Sequence, residues 1–315
     1  MNLNTQTLRG SVGLPLIVAP MFLVSGTELT IAACKAGVIG SYPVANARSA
    51  EDAEQAILDI RHALEQERRE HPQRPSAPYA VNLVVHDESK PRFIADFETV
   101  QRHKVPLVIT SVGDPKNVVA KIHAYGGLVF HDVANLKHAR KAIEAGVDGL
   151  ILLTAGAGGH TGTMNPFAFV EQVRRIWQGV IVLAGGISEG RSIRAAEIMG
   201  ADYAYMGTRF SATEESLASA EYKALLVSQQ AADVMVTECI SGFNATFMRG
   251  SIIAAGLDPD SLPPRKGLFQ PDLPEPIKAW RDVWSAGHGV GSIDDVPAVA
   301  SLVERLRGEY DQATL

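Results

Sequence analysis

Cysteine is almost missing from this chain: 315 residues hold two, Cys34 and Cys239. Two thiols so far apart make neither a disulfide framework nor a metal site, and they read as small buried hydrophobes in a reducing compartment. Basic charge is also scarce. A formal net charge of -6 with no Lys/Arg cluster excludes the electrostatic footprint of a nucleic-acid binder or of a protein drawn to anionic membrane. No apolar run approaches the roughly 20 residues that cross a bilayer. The opening Met-Asn-Leu-Asn-Thr-Gln lacks the basic-then-apolar pattern of a signal peptide, so a cytoplasmic protein is expected. Metal-ligand spacings, a Gly-x-Ser-x-Gly elbow and a Walker loop are absent as well, which leaves zinc, serine-hydrolase and P-loop chemistry without support.

Glycine, by contrast, is plentiful and unevenly placed. A short apolar run, Gly149 to Leu153, stops at a loop holding Gly156, Gly158, Gly159 and Gly162 around one ionisable side chain, His160. Without a Cβ, such a loop lets backbone approach a ligand closely. Histidine changes charge near neutral pH and can move a proton there. Taken alone, the loop is equally a flexible connection carrying a solvated His.

The rest of the chain narrows that choice. Short apolar strands begin near residues 15, 38, 79, 105, 127, 148, 180 and 202, most with a helical segment between them. Helix-Ala-Gly-Val-Asp-strand around Gly146 recurs as helix-Met-Gly-Ala-Asp-strand around Gly200. Repeated βα units with continuously apolar strands imply parallel strands buried on both faces, and eight of them predict an α/β protein with a closed (β/α)8 TIM barrel. An open doubly wound sheet is the rival. The strand rhythm stops after Phe210. Residues 1–210 are therefore expected to form the barrel core with the ligand site, 211–276 a helical lobe, and 277–315 C-terminal helices returning to the barrel.

Barrel enzymes bind ligands at the carboxyl ends of their strands. Just past the strands here stand Pro20-Met21, Asn82, Ser111, Asp132, Gly158-Gly159-His160, Gly185-Gly186 and Gly207-Thr208. Loops after the seventh and eighth strands commonly build a phosphate site from backbone N–H groups, and Gly185, Gly186, Gly207 and Thr208 supply them unobstructed. Gly185-Gly186 alone is more often a tight turn; paired with the next strand's Gly-Thr it favours the phosphate. Asn82, inside an apolar strand, is either a satisfied buried amide or a partner for a planar ligand. Met21 is core by residue type and a ligand contact by position. Arg209 adds charge to the site or turns away into an ion pair. Of His131 and Asp132, adjacent on a strand, only one can look into the mouth. His288, in a late Gly-rich turn, is a further candidate. A phosphate-bearing organic cofactor explains this pattern best, and FMN fits, with one phosphate and a flat ring; composition does not separate it from a sugar-phosphate substrate.

At these residues the chain resembles the nitronate monooxygenase family, formerly 2-nitropropane dioxygenases, which are FMN-dependent (β/α)8 proteins. The resemblance runs from Pro15-Leu-Ile-Val-Ala-Pro-Met21 through Val81-Asn-Leu83, Ala157-Gly-Gly-His-Thr-Gly162 and Leu183-Ala-Gly-Gly-Ile187 to Ala204-Tyr-Met-Gly-Thr-Arg-Phe210, with Trp284-Ser-Ala-Gly287 late in the chain. It implies that Ala19, Pro20 and Met21 run beside the flavin, that Asn82 bonds its ring, and that Gly158 and Gly159 line it. Gly185, Gly186, Gly207 and Thr208 would hold the phosphate, and His160 would be the catalytic base. Asp132 stands where many relatives carry Lys, beside the strand-five His. The loop Thr154-Ala-Gly-Ala157 lacks an acidic residue common there. Losing a cation disfavours a reduced, anionic flavin by Coulomb's law.

The activity implied is oxidation of alkyl nitronates or nitroalkanes with O2 to a carbonyl and nitrite, the partners being a small organic substrate and O2. The same superfamily holds NAD(P)H-dependent flavin reductases of quinones and enoyl thioesters, the alternative reading. A third, non-enzymatic reading is a phosphate-ligand sensor, which leaves the His in the mouth unexplained. Self-association is compatible with any of them.

Overall fold

The computed structural model describes residues 4–74, 76–267 and 270–313. Eight parallel strands form the central sheet: β1 (Leu16–Val18), β2 (Ser41–Pro43), β3 (Ala80–Val84), β4 (Leu107–Ser111), β5 (Leu128–Val133), β6 (Gly149–Leu153), β8 (Val180–Ala184) and β9 (Tyr203–Met206). The intervening β7 (Gly159–His160) belongs to a second sheet with β10 (Val234–Thr237) and β11 (Ala245–Met248). Edge strands β1 and β2 are joined by a parallel bridge, Ile17 to Ile39, in which Val18 N donates to Ile39 O at 2.8 Å and Ile39 N to Leu16 O at 3.1 Å. The sheet therefore closes into a barrel, and the open doubly wound alternative fails. The second strand starts later than its apolar run suggests, because Ile39 is spent on the closing bridge.

Strand alternation sends one side chain of each pair inward. Ile17, Ile39, Leu107, Ile109, Leu128, Phe130, Ile151, Val182 and Tyr203 fill the interior, while Val81, Val108, Val129, Leu150 and Ile181 face the helices. The floor is stopped by a short helix not foreseen from the sequence, Thr5–Gly10, whose Leu8 is fully buried in the same interior cluster. Asn4 caps it reciprocally with Thr7.

The helix that completes the outer ring is the last one. Leu302, Val303 and Leu306 of Val299–Gln312 pack on Ile193 of the helix Gly190–Ile198 and on Leu29 and Ala33 of the helix Thr27–Lys35. The segment between β9 and this helix forms the lobe, and it is not purely helical as expected. Val234–Thr237 and Ala245–Met248 pair antiparallel, and the second reaches back to the barrel loop, with Ala245 opposite His160 and Thr246 opposite Gly159. The β-branched Val234, Val236 and Thr237 favour the strand despite the helix-forming Ala, Glu and Ser nearby. Among the described residues no helix is long and apolar enough to cross a membrane.

Because Leu8 plugs the floor with no exposed surface, Leu8→Ala is expected to cost about 2–5 kcal/mol. Leu217→Ala, at a leucine 60% exposed, should stay within about 0.5 kcal/mol. Urea unfolding midpoints of the two variants check this, and equal losses would contradict the plug.

Candidate active site

A cavity of about 1060 Å³ opens at the carboxyl ends of the barrel strands. Twelve of the residues singled out from the sequence line it: Ala19, Pro20 and Met21 after β1, Asn82 on β3, Asp132 on β5, Gly158, Gly159 and His160 after β6, Gly185 and Gly186 after β8, Gly207 and Thr208 after β9. Its volume lies just above the range usual for small-molecule sites, about 300–1,000 Å³.

The floor is polar where the barrel interior ends. Leu128 and Phe130 point inward, so Asp132 does too. His131 therefore takes the opposite face, where its Nδ1 lies 2.8 Å from Thr110 Oγ1 and burial drives its pKa down to about 4. Contrary to the expectation that only one of the pair would reach the mouth, it also borders the cavity, which spreads past the strand end to Asn135 and His138. The Asn82 amide NH2 donates to Ile109 O at 3.0 Å and to Ser111 Oγ at 3.3 Å. That fixes its orientation and leaves Oδ1 as an acceptor with no partner among the described residues. Asp132 is stranger. Its Oδ1 is sealed from solvent with no hydrogen bond, and desolvation pushes the carboxyl up to about 7. Tyr205, on the adjoining inner face of β9, also has an unpartnered hydroxyl.

One wall is bare backbone. Gly186, at φ +68°, and Gly159, at φ +74°, hold left-handed conformations that favour glycine, and an added Cβ at either would meet no protein atom. Among the described residues the amides of Gly186, Ile187 and Thr208 donate to no protein acceptor. Three free donors on adjoining turns suit an anion such as a phosphate. The Thr208 hydroxyl accepts from Gly287 N at 2.9 Å, tying the turn after β9 to the late Gly-rich segment. Met21 Sδ accepts from Ser211 Oγ at 3.0 Å, holding the β1 loop against the same wall.

His160 closes the other side. Its strand β7 is held by β11, and the Gly159 amide donates to Ser285 Oγ at 2.8 Å. The imidazole is half-buried and makes no hydrogen bond among the described residues. Instead it meets two rings, Phe243 at 5.8 Å and Trp280 at 5.4 Å, the latter perpendicular. Burial alone lowers its pKa from 6.5, so at neutral pH it is an uncharged base facing a cavity.

Two candidates lie elsewhere. Arg209 is buried in an ion pair with Asp295 at 3.2 Å and does not line the cavity. His288 is exposed; its backbone N donates to Gly156 O at 2.9 Å, and its side chain is not in the lining. Phe243, Trp280, Ser285 and Tyr222 line the site although sequence reasoning missed them. Their only signal was the Trp284-Ser-Ala-Gly287 resemblance, since lobe residues reach the mouth through long-range pairing.

A family model described as nitronate monooxygenase matches residues 9–309. The chain belongs to the nitronate monooxygenase family. It is an enzyme, a flavin-dependent oxidoreductase. It is similar to a nitronate monooxygenase of Paraburkholderia phytofirmans, 28% identical over 95% of this chain and 93% of the relative. Another relative, a carboxyl-CoA dehydrogenase of Rhodococcus jostii, is 26% identical over 72% of this chain and 60% of its own length. In fold it is similar to a nitroalkane oxidase from Streptomyces ansochromogenes (TM-score 0.77, 24% identity, 98% of each chain). FabK from Thermotoga maritima is equally similar in fold (TM-score 0.77, 24% identity, 98% of this chain and 97% of that one).

The Asp132 carboxyl, ordinarily near 3.8, titrates near 7 in the folded protein, so folding binds a proton between those values and stability falls as pH rises through them. Asp132→Asn removes that dependence. Relative to the parent, the variant should gain roughly 2–4 kcal/mol between pH 4 and pH 8, read from urea unfolding. A difference that does not change with pH would show that Asp132 is ionised and solvated.

Proposed function

We propose that the cavity holds FMN and that the enzyme oxidises alkyl nitronates and small nitroalkanes with O2 to a carbonyl compound and nitrite. The observation that carries this reading is the neutral, unpartnered imidazole of His160 facing a cavity whose opposite wall offers free backbone donors. The amides of Gly186, Ile187 and Thr208 would take the phosphate. Asn82 Oδ1 would accept from a ring N–H, Gly158 and Gly159 would lie against the ring, and Ala19, Pro20 and Met21 would run along its edge. A bound flavin would supply an acceptor for electrons from the substrate carbon and a means of passing them to O2.

The chain's own part is proton chemistry and placement. A nitroalkane carries an acidic α-proton because the nitro group delocalises the resulting negative charge. His160 accepts that proton at a ring nitrogen, and the product nitronate stays in the cavity as an electron-rich carbon. Its aromatic neighbours keep bulk water from the imidazole, so the base is not hydrated away from the substrate. A nitronate that arrives already deprotonated needs His160 only for binding.

The alternative, NAD(P)H-dependent reduction of a quinone or enoyl thioester, draws support from the relative named as a carboxyl-CoA dehydrogenase. Anaerobic mixing separates the two. Flavin bleaching by a nitronate and not by NADH or NADPH supports the monooxygenase; rapid bleaching by NADH or NADPH overturns it.

Replacing the base should be substrate-dependent. His160→Asn is expected to lower kcat/KM for a neutral nitroalkane by about 10²–10⁴-fold, with a smaller loss for the preformed nitronate. Equal losses on both would remove the proton-abstracting role. In the parent enzyme, kcat/KM for the nitroalkane should fall on acidification through a pKa below 6.5, because protonation consumes the base. A profile that rises on acidification would contradict it.

A further inference from the structure

Trp280 has the wrong backbone for its side chain. Its φ of +69° lies in the left-handed region, which a bulky residue rarely adopts. The conformation is imposed from several directions at once. Trp280 N donates to Val283 O at 3.1 Å, Asp282 N to Lys278 O at 3.0 Å, and Lys278 N to Asp282 Oδ2 at 2.8 Å. Arg281 adds a bond from Nη2 to Pro276 O at 2.8 Å. A strained residue held by an over-determined turn directs attention to what its side chain touches. The indole packs on Phe247 at 4.9 Å between centroids, lines the cavity, and stands perpendicular to the His160 ring at 5.4 Å.

We propose that Trp280 is a positioning residue for His160, fixing the plane of the imidazole and shielding it from water so that it stays neutral and aimed into the cavity. No hydrogen bond orients that ring among the described residues; rings do. Phe243 meets it at 59° from one side and Trp280 at 90° from another. Two rings at different inclinations leave the imidazole little freedom to rotate, whereas either alone leaves it a free swing.

Other charges do not account for the neutral state. On the lobe, Arg281 is paired with Asp282 and Arg265 with Glu238. Asp132, Asp114, His131, His138 and Lys141 line the same cavity. Tyr205 and Tyr222 also line it and stay uncharged, pushed up by burial. None of these displaces His160, which responds to burial alone, and the Trp280 ring lies against it.

This inference rests on His160 acting as the base, and its test is arranged so that the two ideas fail separately. The readout is the histidine titration of the flavin-loaded enzyme, followed by NMR of labelled imidazole, beside kcat and KM on a nitroalkane. Trp280→Gly relieves the backbone and removes the ring. It should raise the His160 pKa by about half a pH unit or more, move the acid limb of kcat/KM by the same amount, and lower kcat about tenfold or more with little change in KM. Trp280→Phe should restore most of both. An unchanged His160 titration in Trp280→Gly overturns the proposal. Should Trp280→Gly fail to fold by circular dichroism, Trp280→Leu, apolar without a ring, takes its place with the same two readings. A shifted titration in an enzyme inert toward nitroalkanes leaves Trp280 as the positioning residue and removes the nitroalkane reading alone.

Discussion

Two residue pairs hold the site together: Gly159 opposite Thr246 and His160 opposite Ala245. A Gly-rich loop after a barrel strand is free to move by its composition, and a base on such a loop would be poorly aimed. Pairing with β11 converts its critical dipeptide into the edge of a sheet, and Thr246 Oγ1 donates to Ala157 O at 3.0 Å to hold the residues before it. The lobe is thus the clamp on the His160 loop. Its core of Ile240, Ala245, Phe247, Ile252 and Val283 supports the clamp from behind, with Trp280 packed against it.

Opposite the clamp, flexibility is used differently. The turns after β8 and β9 are glycines that leave amides exposed to the cavity, with the Thr208 hydroxyl spent on bracing Gly287. The barrel turns supply both the free amides and the imidazole, and the lobe holds the imidazole's strand in place. The polar floor between them, Asn82, Asp132 and Tyr205, carries donors and acceptors left unpaired by the protein itself. Unpaired buried polar groups cost roughly 1–3 kcal/mol each, which is tolerable where a ligand satisfies them.

Much of this was legible in the sequence, and for a physical reason. Parallel barrel strands are buried on both faces, so each reads as a short apolar run, and β3, β4, β5, β6, β8 and β9 stand where those runs predict. The rule that ligands meet the strand ends then gathered residues scattered from Ala19 to Thr208 into one cavity. Strand parity put Asp132 on the inner face with Phe130, but it did not exclude His131, which also borders the cavity because that cavity spreads past the end of β5. The charge state of Asp132 was not legible, because it depends on what fails to reach Oδ1. Nor were β10 and β11, four residues each, because β11 finds its second partner, β7, some 85 residues away and the surroundings of both have helical composition. Trp280 reaches His160 only through a turn closed by Lys278 and Asp282, which no periodicity announces.

The most direct test of the account is a structure of the protein with FMN bound. It should place the phosphate within hydrogen-bond distance of the Gly186, Ile187 and Thr208 amides, with the flavin ring between Asn82 and a His160 imidazole that faces it. A phosphate anchored elsewhere, or an imidazole turned out of the cavity, would contradict the account at its centre.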